Sequence, residues 1–491
     1  MSKILSSKYC FIYLIIFSSV LFFSSIPFRH LLKPDEPRVA GVAAEMARTK
    51  DYIVPKLNGE LFLEQPPLYT WVSAGIMSVL GKSPFTARFF PALSGFLGVL
   101  LIYLLARRME FDEMTSFFAG VSLATSAEYW IIGNRCLTDM PLCFFIIVAM
   151  FSFYNLHTMY KLGKSRMMFV LWFPLLTASF AAALLTKSLI GLAIPTCGLF
   201  FWLILECYFN RGFYPESWIA LILGAFLSLI PVAIWVLKLY SVYGYGQVYT
   251  VVWYNNFGRF SGIHPDHAEP FYYYAEYIFT HLMPWTIFFV TAVYYCMKKK
   301  GVFRDDFNLR FILCWLVFPF VMLCVAKGKR PVYLLPLIPA GAFFASVYSL
   351  KFVESIKKLR CNRNKIIGWV SIIFLVGYVT ASVIITVKGN KNSSYDRLFK
   401  YCQKTINADS NLYLYKPSEA VRGCVEFYLG RTVKVLKNVD SVRRVLGNRN
   451  GYIIAPEGVE LRPSWIQRKF EVKGDSWCVL HIGGKEKNGN E

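Results

Sequence analysis

Acidic residues are scarce in this chain, with 30 Asp and Glu against 53 Lys and Arg, and all charged residues together make up only 17% of its 491 positions. Histidine is scarcer still, at six. So little charge excludes a disordered chain, which needs a high charge content to stay solvated. The twelve cysteines include no Cys-x-x-Cys spacing, so neither a structural zinc module nor a dithiol redox motif is present. Cys402, Cys424 and Cys478 lie in a polar tail where an oxidising compartment would allow a pair, but three thiols cannot all pair and no disulfide is assigned. No Gly-rich phosphate loop, fixed-period repeat or low-complexity tract occurs, and the missing loop leaves no nucleotide site to assign.

What the chain has instead is apolar surface. A 56% apolar and 17% aromatic composition with mean hydropathy +0.43 exceeds globular values and marks an all-α polytopic membrane protein. The net charge of +23 falls mostly between apolar runs, not on one polar face, which argues for membrane loops and against nucleic-acid binding. A helix needs roughly 20 apolar residues to cross a bilayer. About eleven segments qualify, near residues 9–27, 86–106, 115–133, 137–158, 168–186, 188–208, 217–239, 274–297, 309–326, 331–350 and 366–387. The first reads as a retained helix and not a cleaved leader, because no small-x-small site follows its apolar core. Pro67 to Leu80 is too short to cross and reads as a helix lying on or re-entering the outer surface.

With that count, Arg107 and Arg108, Lys161 to Arg166, Arg211, Lys298 to Arg304 and Lys351 to Lys365 all face the N-terminal side. The positive-inside rule then makes the N-terminus cytoplasmic and puts 28–85, 240–273, 327–333 and the tail outside, where the chemistry is expected. The division is a transmembrane domain over 1–388 and a small extracytoplasmic α/β domain over 389–491. In the tail, strands are predicted at Asn411–Lys416, Thr432–Leu436, Tyr452–Ala455, Phe470–Val472 and Trp477–Ile482, with helices at Ser418–Leu429 and Ser441–Leu446.

The outer loop opens on Lys33-Pro34-Asp35-Glu36-Pro37-Arg38, in which Pro37 and two carboxylates suit the first turn of a helix. Val39, Val42, Ala43 and Met46 continue it with an apolar stripe able to lie on the membrane. Phe62-Leu63-Glu64-Gln65-Pro66-Pro67-Leu68-Tyr69-Thr70-Trp71, Phe85 to Gly95, Arg135-Cys136-Leu137-Thr138-Asp139-Met140-Pro141, Asn256-Phe257-Gly258-Arg259-Phe260, His267 to Tyr274 and Lys329-Arg330-Pro331-Val332-Tyr333 follow in order. Together they resemble the GT-C-type membrane glycosyltransferases that use polyprenyl-phosphate-linked sugars. Within that family the likeness is to the bacterial lipid A aminoarabinose transferases and, more distantly, to the protein O-mannosyltransferases.

A sugar leaving a lipid phosphate develops negative charge on the phosphate oxygens, so fixed cations and donors must point there. Arg38, Arg259, Lys329, Arg330 and the Tyr333 phenol are the candidates, and the resemblance implies donor-phosphate contact for Tyr333 and a nearby base. Where the family usually has Glu-Lys-Pro this chain has Glu64-Gln65-Pro66, so Gln65 brings an amide without the charge, and either Lys56 or Lys329 compensates or donor recognition differs. The resemblance also makes Glu64 and His267 ligands of a divalent cation, zinc by preference, which would organise the loops. For the acceptor, Asp35 is the first candidate and Asp139 the second: a carboxylate takes the proton of a hydroxyl, or orients an already ionised phosphate.

The resemblance thus implies transfer of a sugar, such as 4-amino-4-deoxy-L-arabinose, from polyprenyl phosphate to lipid A or another envelope acceptor, by in-line displacement with inversion, at the outer face of a bacterial inner membrane. Protein O-glycosylation is the alternative with the same donor. A flippase is the alternative from another class, but polar groups should then line mid-membrane helices, whereas Lys187 and Glu206 fall near predicted helix ends.

Overall fold

Long apolar runs with little internal charge form helices because a bilayer offers their backbones no other hydrogen-bond partner. The computed structural model describes residues 9–161, 163, 166–258, 268–355, 363–407, 409–446, 451–457, 466–472 and 474–482. Among these, eight helices are long and apolar enough to cross a membrane: Pro84–Arg108, Asp139–Lys161, Val170–Lys187, Ile190–Asn210, Pro215–Tyr243, Phe307–Val325, Pro331–Ser355 and Arg363–Asn392. A ninth arises if Tyr273–His281 and Thr286–Lys298, bent by 110°, count as one span. The protein is therefore an integral membrane protein, with eight or nine full spans among the described residues where about eleven were expected.

The two remaining segments show why. Cys10–Phe23 has 14 residues, short of a full crossing, and the expected span at 115–133 is broken into Glu113–Ala124 and Ala127–Gly133. Backbone freed at that break is satisfied by the bend of the ninth span: Ala127 N–H donates to Met283 O at 2.8 Å, and Trp285 Nε1 donates to Thr125 Oγ1 at 3.0 Å. Broken helices survive at membrane depth only where neighbours supply such partners, and here two breaks supply each other.

The chain divides into two units. The first comprises Met1–Ser24, Leu63–Tyr69 and Phe89–Ala381, and the second Ser25–Phe62, Thr70–Arg88 and Ser382–Glu491. In the first unit, helices close on Phe22 at two glycines: a Cβ on Gly95 or Gly133 would come within 2.9 or 2.5 Å of its ring. Gly95 is thus required by packing, which explains the end of the 85–95 motif.

The second unit joins the acid-bearing loop to the tail. Strands β1 (Lys56–Leu57) and β2 (Glu60–Leu61) form a hairpin. The tail strands are β3 (Asn411–Tyr415), β4 (Lys434–Leu436), β5 (Gly451–Pro456), β6 (Ile466–Val472) and β7 (Asp475–Ile482), in the order β4-β3-β5-β7-β6. β3 pairs in parallel with β4 and β5, and β7 runs antiparallel to β5 and β6. Every expected strand is found, along with helices Glu419–Cys424 and Val439–Leu446. The sequence reading had not assigned Asp396–Thr405, a helix that buries Leu398, Phe399 and Cys402 in the core of this α/β layer. Cys402, Cys424 and Cys478 are buried free thiols, so no pairing forms among them.

Candidate active site

The first carboxylate of the loop is set by its neighbour. Asp35 and Glu36 open the helix Asp35–Thr49, where negative charge favours the dipole, and Lys50 closes it in the left-handed region at φ 58°. Glu36 turns inward and Arg88, fully buried, grips it with Nε at 2.9 Å and Nη2 at 2.6 Å, while also donating to the carbonyl of His30 at 2.7 Å. Arg29 adds a second guanidinium at 3.6 Å, and Leu32 N–H donates at 2.8 Å. Burial alone would raise the Glu36 carboxyl, but Arg88 first and then Arg29 overcome it and hold it at about 2. Glu36 is a buried counter-ion that fixes the start of the helix.

Asp35 stays half-exposed and pairs with Arg38 Nη2 at 3.0 Å. Arg38 also reaches Glu419 at 2.9 Å and lies over the Phe62 ring at 5.6 Å. Its guanidinium is therefore shared by two carboxylates, and a phosphate would have to compete with them. The stripe that was expected to lie on the membrane is enclosed by protein instead. All seven residues from Ala40 to Met46 are buried, and Gly41 meets Gly423 so closely that a Cβ on Gly41 would stand 2.3 Å from the Gly423 Cα.

The first unit gathers most of the other motif residues. Tyr69 OH and Cys136 Sγ are 3.3 Å apart, joining the 62–71 and 135–141 peptides. Asn255 Nδ2 donates to Leu63 O at 2.7 Å, beside Glu64, and Leu189 N–H donates to Asn256 Oδ1 at 3.1 Å. The segment Thr250–Gly258 therefore ties the Glu64 loop to the turn after the Val170–Lys187 helix. Lys187, the last residue of that helix, forms an ion pair with Asp139, and its Nζ lies 4.8 Å from the centre of the Tyr333 ring. One cation thus joins the second acceptor candidate to the donor-phosphate candidate, with the Lys187 and Asp139 side chains only 14% and 11% exposed.

Lys329 sits just before Tyr333. It is 3% exposed, and its Nζ donates to Glu269 O at 2.9 Å and to Ala326 O. Ala268 and Gly328 form a bridge that holds the two segments together. Buried cations normally have a counter-charge. Among the described residues this one meets carbonyls, an arrangement suited to receiving an anion. Arg330 is exposed, and its carbonyl accepts from Tyr333 N–H at 3.0 Å as the turn Pro331–Leu337 begins. The Gln65 side chain is half-buried in the Glu64 loop.

Arg259 and His267 lie outside the described residues. Lys56, the other proposed substitute for the missing lysine, is engaged elsewhere, paired with Asp51 at 2.7 Å. The sequence reading missed Lys187. Its signal was a lone cation ending an apolar helix, where the negative dipole end favours one, and that also fits simple capping. Among the described residues no three His, Cys, Asp or Glu side chains cluster to hold a metal, and Glu64 is the only expected ligand in view.

Residues 42–242 match the family model described as dolichyl-phosphate-mannose-protein mannosyltransferase. An undecaprenyl phosphate-alpha-4-amino-4-deoxy-L-arabinose arabinosyl transferase of Proteus mirabilis is 28% identical over 79% of this chain and 67% of its own length. The Enterobacter sp. enzyme of the same name is 25% identical over 78% of this chain and 65% of its own. The chain thus spans about two thirds of the length of these relatives. The crystal structure of ArnT from Cupriavidus metallidurans bound to undecaprenyl phosphate superposes with TM-score 0.75 at 18% identity, covering 96% of this chain and 99% of that one. An Archaeoglobus fulgidus oligosaccharyltransferase in complex with Zn and sulfate gives TM-score 0.59 at 13% identity, over 91% of this chain and 68% of that one.

Proposed function

We propose that this chain, which stands with the GT-C-type membrane glycosyltransferases by its fold and its relatives, moves a sugar from a polyprenyl-phosphate donor to an envelope acceptor. The names of the relatives favour an amino sugar such as 4-amino-4-deoxy-L-arabinose and lipid A as acceptor. The observation that carries the reading is the Asp139–Lys187–Tyr333 contact beside buried Lys329, which puts two cations and a phenol within one unit.

In the reaction the bond from anomeric carbon to phosphate oxygen breaks and a bond to an acceptor oxygen forms. Charge gathering on the leaving phosphate is met by Lys187, Lys329 and the Tyr333 hydroxyl in a site with little water, where such contacts act strongly. Lys187 brings the charge that Gln65 lacks. Asp35 receives the proton of an acceptor hydroxyl, or orients an acceptor phosphate that is already ionised. Arg259 and Arg330 are the further phosphate candidates that the sequence motifs supply, Arg38 is held by the Asp35 and Glu419 carboxylates, and Asp139 sets the position of Lys187. Glu64 and His267 would hold a divalent cation, zinc by chemistry, which supplies charge to order the loops. The N-terminus then lies in the cytoplasm, and the site, with the 389–491 domain, at the outer face of a bacterial inner membrane.

Mass spectrometry of envelope lipids from cells with and without the gene tests this reading. Loss of a sugar-modified lipid A on deletion supports it, whereas an unchanged lipid profile with loss of a glycosylated protein would favour the protein acceptor.

A further inference from the structure

The helix that carries Asp35 is gripped at two heights by glutamates from the tail. Arg38 meets Glu419 at 2.9 Å, and Arg48 meets Glu426 with Nε at 3.1 Å and Nη2 at 2.9 Å. Ten residues of helix separate the two arginines, a rise of about 15 Å. Between them the backbones touch at Gly41 and Gly423, where a Cβ on Gly423 would lie 2.1 Å from Pro37 O. The two grips differ in kind. Glu426 is fully buried and also accepts from Thr432 Oγ1 at 2.8 Å, so it is part of the folded core. Glu419 is 54% exposed, and such pairs add little to stability. It nonetheless shares Arg38 with Asp35, whose carboxylate is 3.0 Å from the same guanidinium.

We propose that Glu419 is a positioning residue for the reaction: by holding Arg38 Nη1 while Nη2 donates to Asp35, it keeps the Asp35 carboxylate in the orientation that meets the acceptor. The tail α/β segment thereby acts on Asp35 through one side chain. The proposal rests on the role given to Asp35 above. Without Glu419, Arg38 has one carboxylate partner fewer and can fold over Asp35 or swing away, and either motion spoils the approach of the acceptor while leaving the donor site of the first unit untouched. A misplacement of about 1 Å in a positioned group costs up to 100-fold in rate.

The test uses the full chain in detergent. Hydrogen exchange comes first, because it needs no substrate: Glu419→Ala should speed exchange of the first hydrogen-bonded amides of the 35–49 helix, Val39 to Val42, while Lys469→Ala, which breaks the exposed pair with Glu457, should not. Transfer is then followed with undecaprenyl-phosphate-linked 4-amino-4-deoxy-L-arabinose and lipid A. Glu419→Ala should lower kcat about tenfold with the donor KM within about twofold, and Glu419→Asp should recover much of the loss. An Asp35→Asn chain is assayed beside them. If Asp35→Asn is inactive and Glu419→Ala matches the parent in both exchange and kcat, Glu419 has no positioning role and the reading of Asp35 stands. If Asp35→Asn is active, the reading of Asp35 fails and the positioning proposal falls with it.

Discussion

Arg88 closes on Glu36 with two hydrogen bonds of 2.9 and 2.6 Å, and this contact gives two adjacent carboxylates opposite fates. Glu36 becomes a buried counter-ion locked to the start of the Pro84–Arg108 helix, and Asp35, one residue earlier, is left half-exposed at the helix start.

Removing either partner of that pair takes from a buried charge its two-pronged counter-ion, and breaking a buried pair in this way costs about 3–5 kcal/mol. Arg88→Met should therefore lower the detergent-solubilised melting temperature far more than Lys469→Ala, a change at an exposed pair. The sign with pH follows from the depressed carboxyl. A group held at about 2 contributes stability that is present above the ordinary carboxylate range and is lost as pH falls toward 2. Thermal unfolding scanned between pH 7 and pH 3 should show this loss in the parent chain and a much flatter profile in Glu36→Gln.

Glu45 behaves in the opposite way. It is buried, one oxygen accepts from Gly59 N–H at 2.9 Å, and the nearby Glu426 carboxylate repels it. Burial first and Glu426 second push its carboxyl up, so ionisation destabilises the fold and stability declines as pH rises through the range between its ordinary and its raised value. Glu45→Gln keeps the acceptor oxygen and removes the charge. It should melt at or above the parent temperature at neutral pH, with the advantage shrinking in acid, and a variant less stable at pH 7 would show that the carboxylate is needed.

Lys187 and Tyr333 are expected to act on the donor. Lys187→Met should reduce kcat/KM for the polyprenyl-phosphate donor about 100-fold or more, the scale of one lost transition-state donor in a dry site. Tyr333→Phe should weaken donor use less, by about tenfold, because a phenol hydrogen bond is neutral. Initial rates against donor concentration separate the two, and normal donor kinetics in both variants would remove them from the phosphate site.

Gln65→Lys tests whether Lys187 has taken over the missing charge. In the parent background the change should be tolerated or activating. In the Lys187→Met background it should restore part of the lost rate, since the added lysine would supply the same charge to the same phosphate. A double variant no faster than Lys187→Met alone would mean that the two positions serve different ends.

Much of this architecture could be read from the sequence, for physical reasons that also explain what escaped it. The tail strands were visible as short apolar and aromatic runs between polar segments, since a strand such as Asn411–Tyr415 is buried on both faces, with Leu412 and Leu414 in one core and Tyr413 and Tyr415 in another. The spans were visible as apolar runs, but a run says nothing of a break inside it. The interruption at Thr125 depends on Trp285 and Met283, about 160 positions away, offering hydrogen bonds. The burial of the Asp35–Thr49 helix was hidden likewise, because its apolar stripe looks the same whether lipid or Gly423 covers it. Asp139 and Tyr333 stood out through their motifs, whereas Lys187 carries meaning only once folding sets it between them.

Transfer by the purified chain in liposomes, supplied with undecaprenyl-phosphate-linked 4-amino-4-deoxy-L-arabinose and either lipid A or peptide, measures the central claim most directly. Sugar-modified lipid A with the parent chain, and none with Asp35→Asn at equal expression and unchanged membrane insertion, is the predicted result. Donor lipid moved across the bilayer with no sugar transferred to either acceptor would contradict the account and assign the chain to lipid transport.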